Sequence, residues 1–237
     1  MKPASPLHPY AASGLAAIKR RYFFSAWPQT IAHASWFDAL DDAVGLAVSR
    51  NVSRTVSRAE QAVAHSLLKQ VGVDFSQRVA DDYVPLWAMQ AHVPVLQHLS
   101  TIAAFAMLPA LRLAVSGSEA RHWDTVLGSG VRRAALLLAR AHPQAEPPAH
   151  ATELRRQATV AANTTATWET FSCRLGLTAL KGHNAAVRAR FRLIWPHAMR
   201  NEAPLELENS VQSWLVDACT LPTRVRRIDP LARRLAA

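Results

Sequence analysis

Between Leu111 and Ala139 the chain reads LRLAVSGSEARHWDTVLGSGVRRAALLLA, a run of apolar residues at helical spacing that glycine cuts twice. Leu111, Val115, Trp123, Val126, Leu127, Val131 and Leu138 recur at the period of an amphipathic helix, and Arg112, Arg121, Arg132 and Arg133 fall between them. Gly117 and the Gly128-Ser129-Gly130 triplet stop one helix and start the next. Such a run builds short interlocked helices with a basic outer surface.

The rest of the chain agrees with helices. Its 237 residues, 50% of them apolar, suffice for one large domain or two small ones. Glycine is sparse at 8 residues and no Asn-Gly or Asp-Gly pair occurs, which argues against the many tight turns of a sandwich or barrel. The expected fold class is all-α, an irregular multi-helix bundle. The stretch 185–195 is open to two readings, a helix or a short extended segment, because Arg188, Arg190 and Arg192 alternate.

The expected organisation is an irregular N-terminal segment at 1–30, an N-terminal helical part at 31–141 and a proline-rich linker at 142–150 (HPQAEPPAH). A C-terminal helical part packed on the first covers 151–220, and a basic tail covers 221–237. Helices are expected over Ile31–Val48, from about Ser53 to Val71 with Gly72 as its stop, and over Val95–Val115 with a kink near Pro109. A helical stretch from about Ser76 is expected to be interrupted at Pro85 and Pro94, since proline removes a donor and crowds the preceding turn. Further helices are expected over Thr152–Leu180, breaking near Gly176, and from Pro204 to Cys219.

The net charge of +10 is carried almost wholly by arginine. Arginine offers a planar fork of donors to acidic protein surfaces, phosphates and lipid headgroups, while ordinary surface arginines set by codon usage are the plain alternative. Cys173 and Cys219 make no C-x-x-C pair and fit a reduced, cytoplasmic setting. Lys19-Arg20-Arg21 follows a weak apolar stretch broken by Pro3, Pro6 and Pro9, the reverse of a secretory signal. The most apolar run, Leu99 to Leu111, is shorter than the roughly 20 residues needed to cross a bilayer.

No reaction centre is evident. The ten histidines show no H-E-x-x-H or similar ligand spacing, and His92 and His98 fall on different helix faces. Cys173, the cysteine nearest a histidine (His183), sits in an apolar run that favours burial over nucleophilic chemistry. Gly128-Ser129-Gly130 lacks the full G-x-S-x-G, and no phosphate-binding glycine loop occurs. The adjacent carboxylates Asp41-Asp42 and Asp81-Asp82 diverge on a helix rather than forming an acid/base pair. No catalytic, cofactor or metal residue is nominated, and an enzyme is not expected.

Nucleic-acid binding is the competing reading. Lys181 to Arg200 holds Lys181, Arg188, Arg190, Arg192 and Arg200 with no acid, interleaved with Phe191 and Trp195, yet no nucleic-acid-binding signature accompanies it. Trp36, Trp123, Trp168, Trp195 and Trp214 divide between core and partner contact, burial being the default.

Three segments in order resemble the K subunit of the type III secretion sorting platform, particularly its plant-pathogen-type members in Ralstonia-like and Burkholderia-like bacteria. His33-Ala34-Ser35-Trp36-Phe37 is similar to the family's H-P-S-W-L, with alanine for proline and phenylalanine for leucine. Leu111-Arg112, Gly117, Arg121 and Leu127-Gly128 follow its central pattern, and Arg188-x-Arg190-Phe191-Arg192-Leu193 closing on Pro196 resembles its R-x-R-x-x-L segment. The resemblance implies a non-enzymatic, cytoplasmic, helical adaptor without cofactors, peripherally associated with the inner-membrane complex. Its implied partners are the cytoplasmic domain of the inner-membrane ring protein and the pod protein; specific nucleic acid and membrane insertion are not among them. The candidate partner-binding residues are Trp36, Arg112, Arg121, Arg132, Arg133, Arg188, Arg190 and Arg192.

Overall fold

Every regular element among the described residues is a helix, as the periodicity demands. The structure, a computed structural model, describes residues 32–37, 63, 65–72, 85–90, 92–113 and 116–222. The expected irregular segment 1–30, residues 31 and 38–48 of the expected helix at 31–48, most of the expected helix before residue 63, the stretch 76–84 and the basic tail beyond Pro222 lie outside the described residues; the described part of the first of these helices, 32–37, holds only the 3₁₀ turn Ala34–Trp36.

Eight α-helices are labelled here: α1 (His92–Ala106), α2 (Leu108–Leu113), α3 (Gly117–Leu127), α4 (Val131–Ala141), α5 (Thr152–Ala161), α6 (Thr165–Ala179), α7 (Ala185–Leu193) and α8 (Asn209–Ala218). Before them, residues 65–70 are helical and end at a turn where Gly72 takes a φ of +74°, as the sequence reading expects of that stop. Among the described residues no helix is long and apolar enough to cross a membrane.

Prolines and threonines decide where the helices break. Pro94 does not interrupt α1 as expected; it occupies the first turn, where its missing N–H has no intrahelical acceptor. The kink expected near Pro109 is a full break at Met107, which moves the proline into the first turn of α2. The helix expected over Thr152–Leu180 is two helices, and the break lies at 162–164 rather than at Gly176. There Thr164 and Thr167 cap each other, each backbone N–H donating to the other's hydroxyl at 3.2 Å. Of residues 185–195, Ala185–Leu193 are helical, so the alternating arginines point around α7 instead of lining one edge. The last helix starts at Asn209, leaving 202–208 without regular structure.

The chain forms two compact units. One joins the described residues up to Leu96 to Cys173–Glu206, and the other joins Gln97–Ser172 to the described residues from Leu207. The first unit's core gathers Trp36, Val63, Leu67, Leu68, Ala186, Ala189 and Leu193. Trp87 meets Phe191 edge to face at 5.8 Å beside it.

In the second unit the buried residues of α1 from Leu99 onward (Ser100, Thr101, Ile102, Ala103, Phe105) cover most of its circumference, as a core helix requires. Trp168 donates its indole N–H to Ser100 at 3.0 Å. The segment 142–150, expected as a linker, lies wholly inside this unit. Arg155 donates to the carbonyls of Pro147, Pro148 and Ala149 as well as to Ala106 at the end of α1, and Trp214 donates to Ala145 at 2.8 Å. The bonds to Pro147, Pro148 and Ala149 satisfy carbonyls that lie outside any helix.

Candidate partner-binding site

The HASWF motif is a short 3₁₀ turn, Ala34–Trp36, whose start is capped by His33: its Nδ1 accepts the Ser35 N–H at 3.2 Å. Three hydrogen bonds fasten this turn to the end of α7 and the residues after it. The His33 N–H donates to the Leu193 carbonyl at 2.7 Å, the Trp36 indole N–H to the Trp195 carbonyl at 2.7 Å, and the His197 N–H to the Ser35 hydroxyl at 2.8 Å. Because Ser35 Oγ accepts from His197, its proton is free to point at His33 Nδ1, 2.9 Å away. Aromatic edges complete the junction: Trp36 against His197 at 4.7 Å, His33 against His92 at 5.0 Å and His92 against Trp195 at 5.3 Å. Burial and the neighbouring Arg200 hold the His197 imidazole below its ordinary range.

Two candidates are corrected by this geometry. Trp36, expected at a partner surface, is fully buried and inaccessible to another protein. Arg190 is 2% exposed, its guanidinium donating back to the Ala186 carbonyl at 3.3 Å, and burial pulls it below its ordinary pKa. The alternation that suggested a shared basic edge fails because a helix turns each successive residue by about 100°.

Arg188 and Arg192 are half-buried and act as internal clamps. Arg188 donates to the carbonyls of Lys181 and His183, tying the turn before α7 to the helix. Arg192 donates to the Glu202 carbonyl at 3.3 Å, holding the irregular segment 202–208 together with Arg174, which reaches the Ala203 carbonyl at 3.1 Å. In both, part of the guanidinium fork serves backbone oxygens of the same chain.

The accessible candidates lie in the second unit. α4 packs on both α2 and α3, burying Val131, Ala135, Leu138 and Ala139 and leaving Arg133 and Arg140 exposed and Arg132 half-buried. Arg121 on α3 is exposed, and Arg112 on α2 is exposed and paired with Glu146 at 2.6 Å. Between α2 and α3 runs an open groove of about 420 Å³, lined by Ala110, Leu113, Ser118, Glu119, His122 and Trp123. Leu113 is 76% exposed there. No protein-family model, curated protein or solved structure matches the chain.

Among the described residues no group of three or more His, Cys, Asp or Glu is placed to hold a metal. Two anchoring residues, Arg155 and His197, carry no periodic or motif signal in the sequence, whereas His33 and Ser35 stand in the quoted HASWF segment without their bonding roles being legible there. His33 and Ser35 stand in a capping pattern, while Arg155 shows its role only once the prolines at 147 and 148 are folded against it.

Proposed function

We propose that this chain is a non-enzymatic adaptor of a bacterial type III secretion apparatus, a counterpart of the sorting-platform K subunit. It joins the cytoplasmic domain of the inner-membrane ring protein to the pod protein, at the cytoplasmic face of the inner membrane. One observation supports this reading above others: two of the three segments that resemble the family, 33–37 and 188–196, meet through the indole bond from Trp36 to Trp195, residues 159 apart in sequence. Scattered chance similarities have no reason to become partners in one junction.

The chemistry of the junction fits an adaptor. The Ser35 hydroxyl accepts from the His197 N–H and the His33 Nδ1 from the Ser35 N–H, so both side chains fasten and cap the turn. The basic competitor reading weakens as well, since Arg188, Arg190 and Arg192 bond to backbone carbonyls and leave fewer forks for phosphate.

Co-purification from cells expressing the secretion apparatus tests the proposal. Tagged chain is expected to retain the ring and pod proteins, and the double reversal Arg121→Glu with Arg133→Glu to lose at least one. Retention of neither by the wild-type chain removes the reading. Salt-sensitive binding to duplex DNA in place of protein contacts supports the nucleic-acid alternative.

A further inference from the structure

We infer that the outer face of α4 is a docking surface for an acidic helix of a partner protein. Val131, Ala135, Leu138 and Ala139 turn inward, and Arg133 and Arg140 stand opposite that stripe, seven residues apart and within about 20° of each other around the helix. Both are exposed, and the half-buried Leu136 and Leu137 flank the line between them. The helix VRRAALLLARA contains no acid, and neither arginine has an ion pair among the described residues. The helix has no need of these cations for itself. Arg133 lies in the first turn, where the helix dipole disfavours positive charge, and there Gly130 offers no side-chain cap and no carboxylate stands by.

Spacing and charge select the occupant. Seven residues of α-helix separate Arg133 from Arg140 by about 10 Å along the axis, which is also the separation of two glutamates seven apart on a helix laid alongside at a shallow crossing angle. Guanidinium forks suit carboxylates, and Leu136 and Leu137 offer an apolar contact to a residue midway between those glutamates. A lipid surface fits less well: among the described residues α4 exposes no large apolar side chain that would enter a headgroup layer. A second copy of this chain, with its net charge of +10, would be repelled.

The assignment names only the chemistry of the partner, so it is tested without any secretion protein: a chain that binds the acidic helix but retains neither ring nor pod protein keeps this assignment and loses the secretion reading. The test uses the full chain and a fluorescent helical peptide with two glutamates seven apart and a leucine midway. A peptide of the same composition with the glutamates five apart, which puts them on different helix faces, is the control, and anionic phospholipid vesicles and duplex DNA are run alongside. The matched peptide is expected to bind and the mismatched one not to, and Arg133→Glu or Arg140→Glu to weaken binding by about tenfold or more. Arg133→Glu places an acid in the first turn of α4 and is expected to keep or raise the thermal midpoint, so the lost binding is not lost folding. A peptide with lysine for one or the other glutamate is expected to recover affinity for Arg140→Glu. Val160→Asp on the exposed side of α5 leaves binding unchanged. Equal binding of both peptides, no binding of the matched one, binding of vesicles or DNA in its place, or wild-type affinity in both arginine variants overturns the proposal.

Discussion

Trp36 fills the core of the first unit and has a single polar atom, the indole N–H, which reaches the Trp195 carbonyl at 2.7 Å. Trp36→Phe keeps an aromatic ring but leaves a buried acceptor without its donor and a gap where the second ring stood. Stability is expected to fall by about 3 kcal/mol, measured by urea denaturation; a loss below roughly 0.5 kcal/mol would show the bond to be absent. His98 in the second unit makes the opposite kind of statement. Burial, opposed by its bond to the Cys219 carbonyl at 3.0 Å, lowers its pKa from 6.5 to about 4. The unfolded chain therefore takes up a proton as pH drops through 6.5, while the folded chain waits until about 4. His98's contribution to stability is complete above about pH 7 and is lost progressively between 6.5 and 4, by about 3 kcal/mol over the window. His98→Gln keeps a donor for Cys219 and is expected to flatten that part of the pH profile; an unchanged slope would assign the acid sensitivity elsewhere.

At the scale of elements, helix ends rest on local chemistry. The Ser116–Glu119 capping box starts α3, so Ser116→Ala is expected to destabilise the second unit by about 1 kcal/mol, read as a lowered thermal midpoint. Gly128, with a φ of +98°, stops the same helix in a conformation that alanine resists. The Gly128 stop and the all-helical class stand in plain view in the sequence, because glycine stops and apolar periodicity act over a few residues, while the Ser116–Glu119 box shows itself in the folded turn. The break at 162–164 was less legible. Thr164 and Thr167 are ordinary residues until their hydroxyls pair, and the apolar stripe runs on through them. Arg190 was misplaced for a related reason: its alternation with Arg188 and Arg192 counts toward a strand edge only if the backbone is extended, and the flanking Ala186, Val187 and Ala189 bury one side of a helix instead.

At the scale of the molecule, the two units are each assembled from distant stretches of chain. Proline content marks 142–150 as a boundary only if its backbone oxygens face water. Here Arg155 and Trp214 reach them, Pro147 is buried, and His150 bonds Ser210 at 2.8 Å. Cutting the chain there should therefore not release two folded halves. A fragment of residues 1–141 lacks Cys173–Glu206 from the first unit and 142–172 from the second, and the fragment 151–237 lacks the helix α1 on which the second unit's core is built. Separately expressed, both fragments are expected to show weak, non-cooperative urea transitions and fast amide exchange, and mixing them to restore a cooperative transition. Two independently cooperative fragments would mean that the contacts across 142–150 contribute little, and that the prolines separate domains after all.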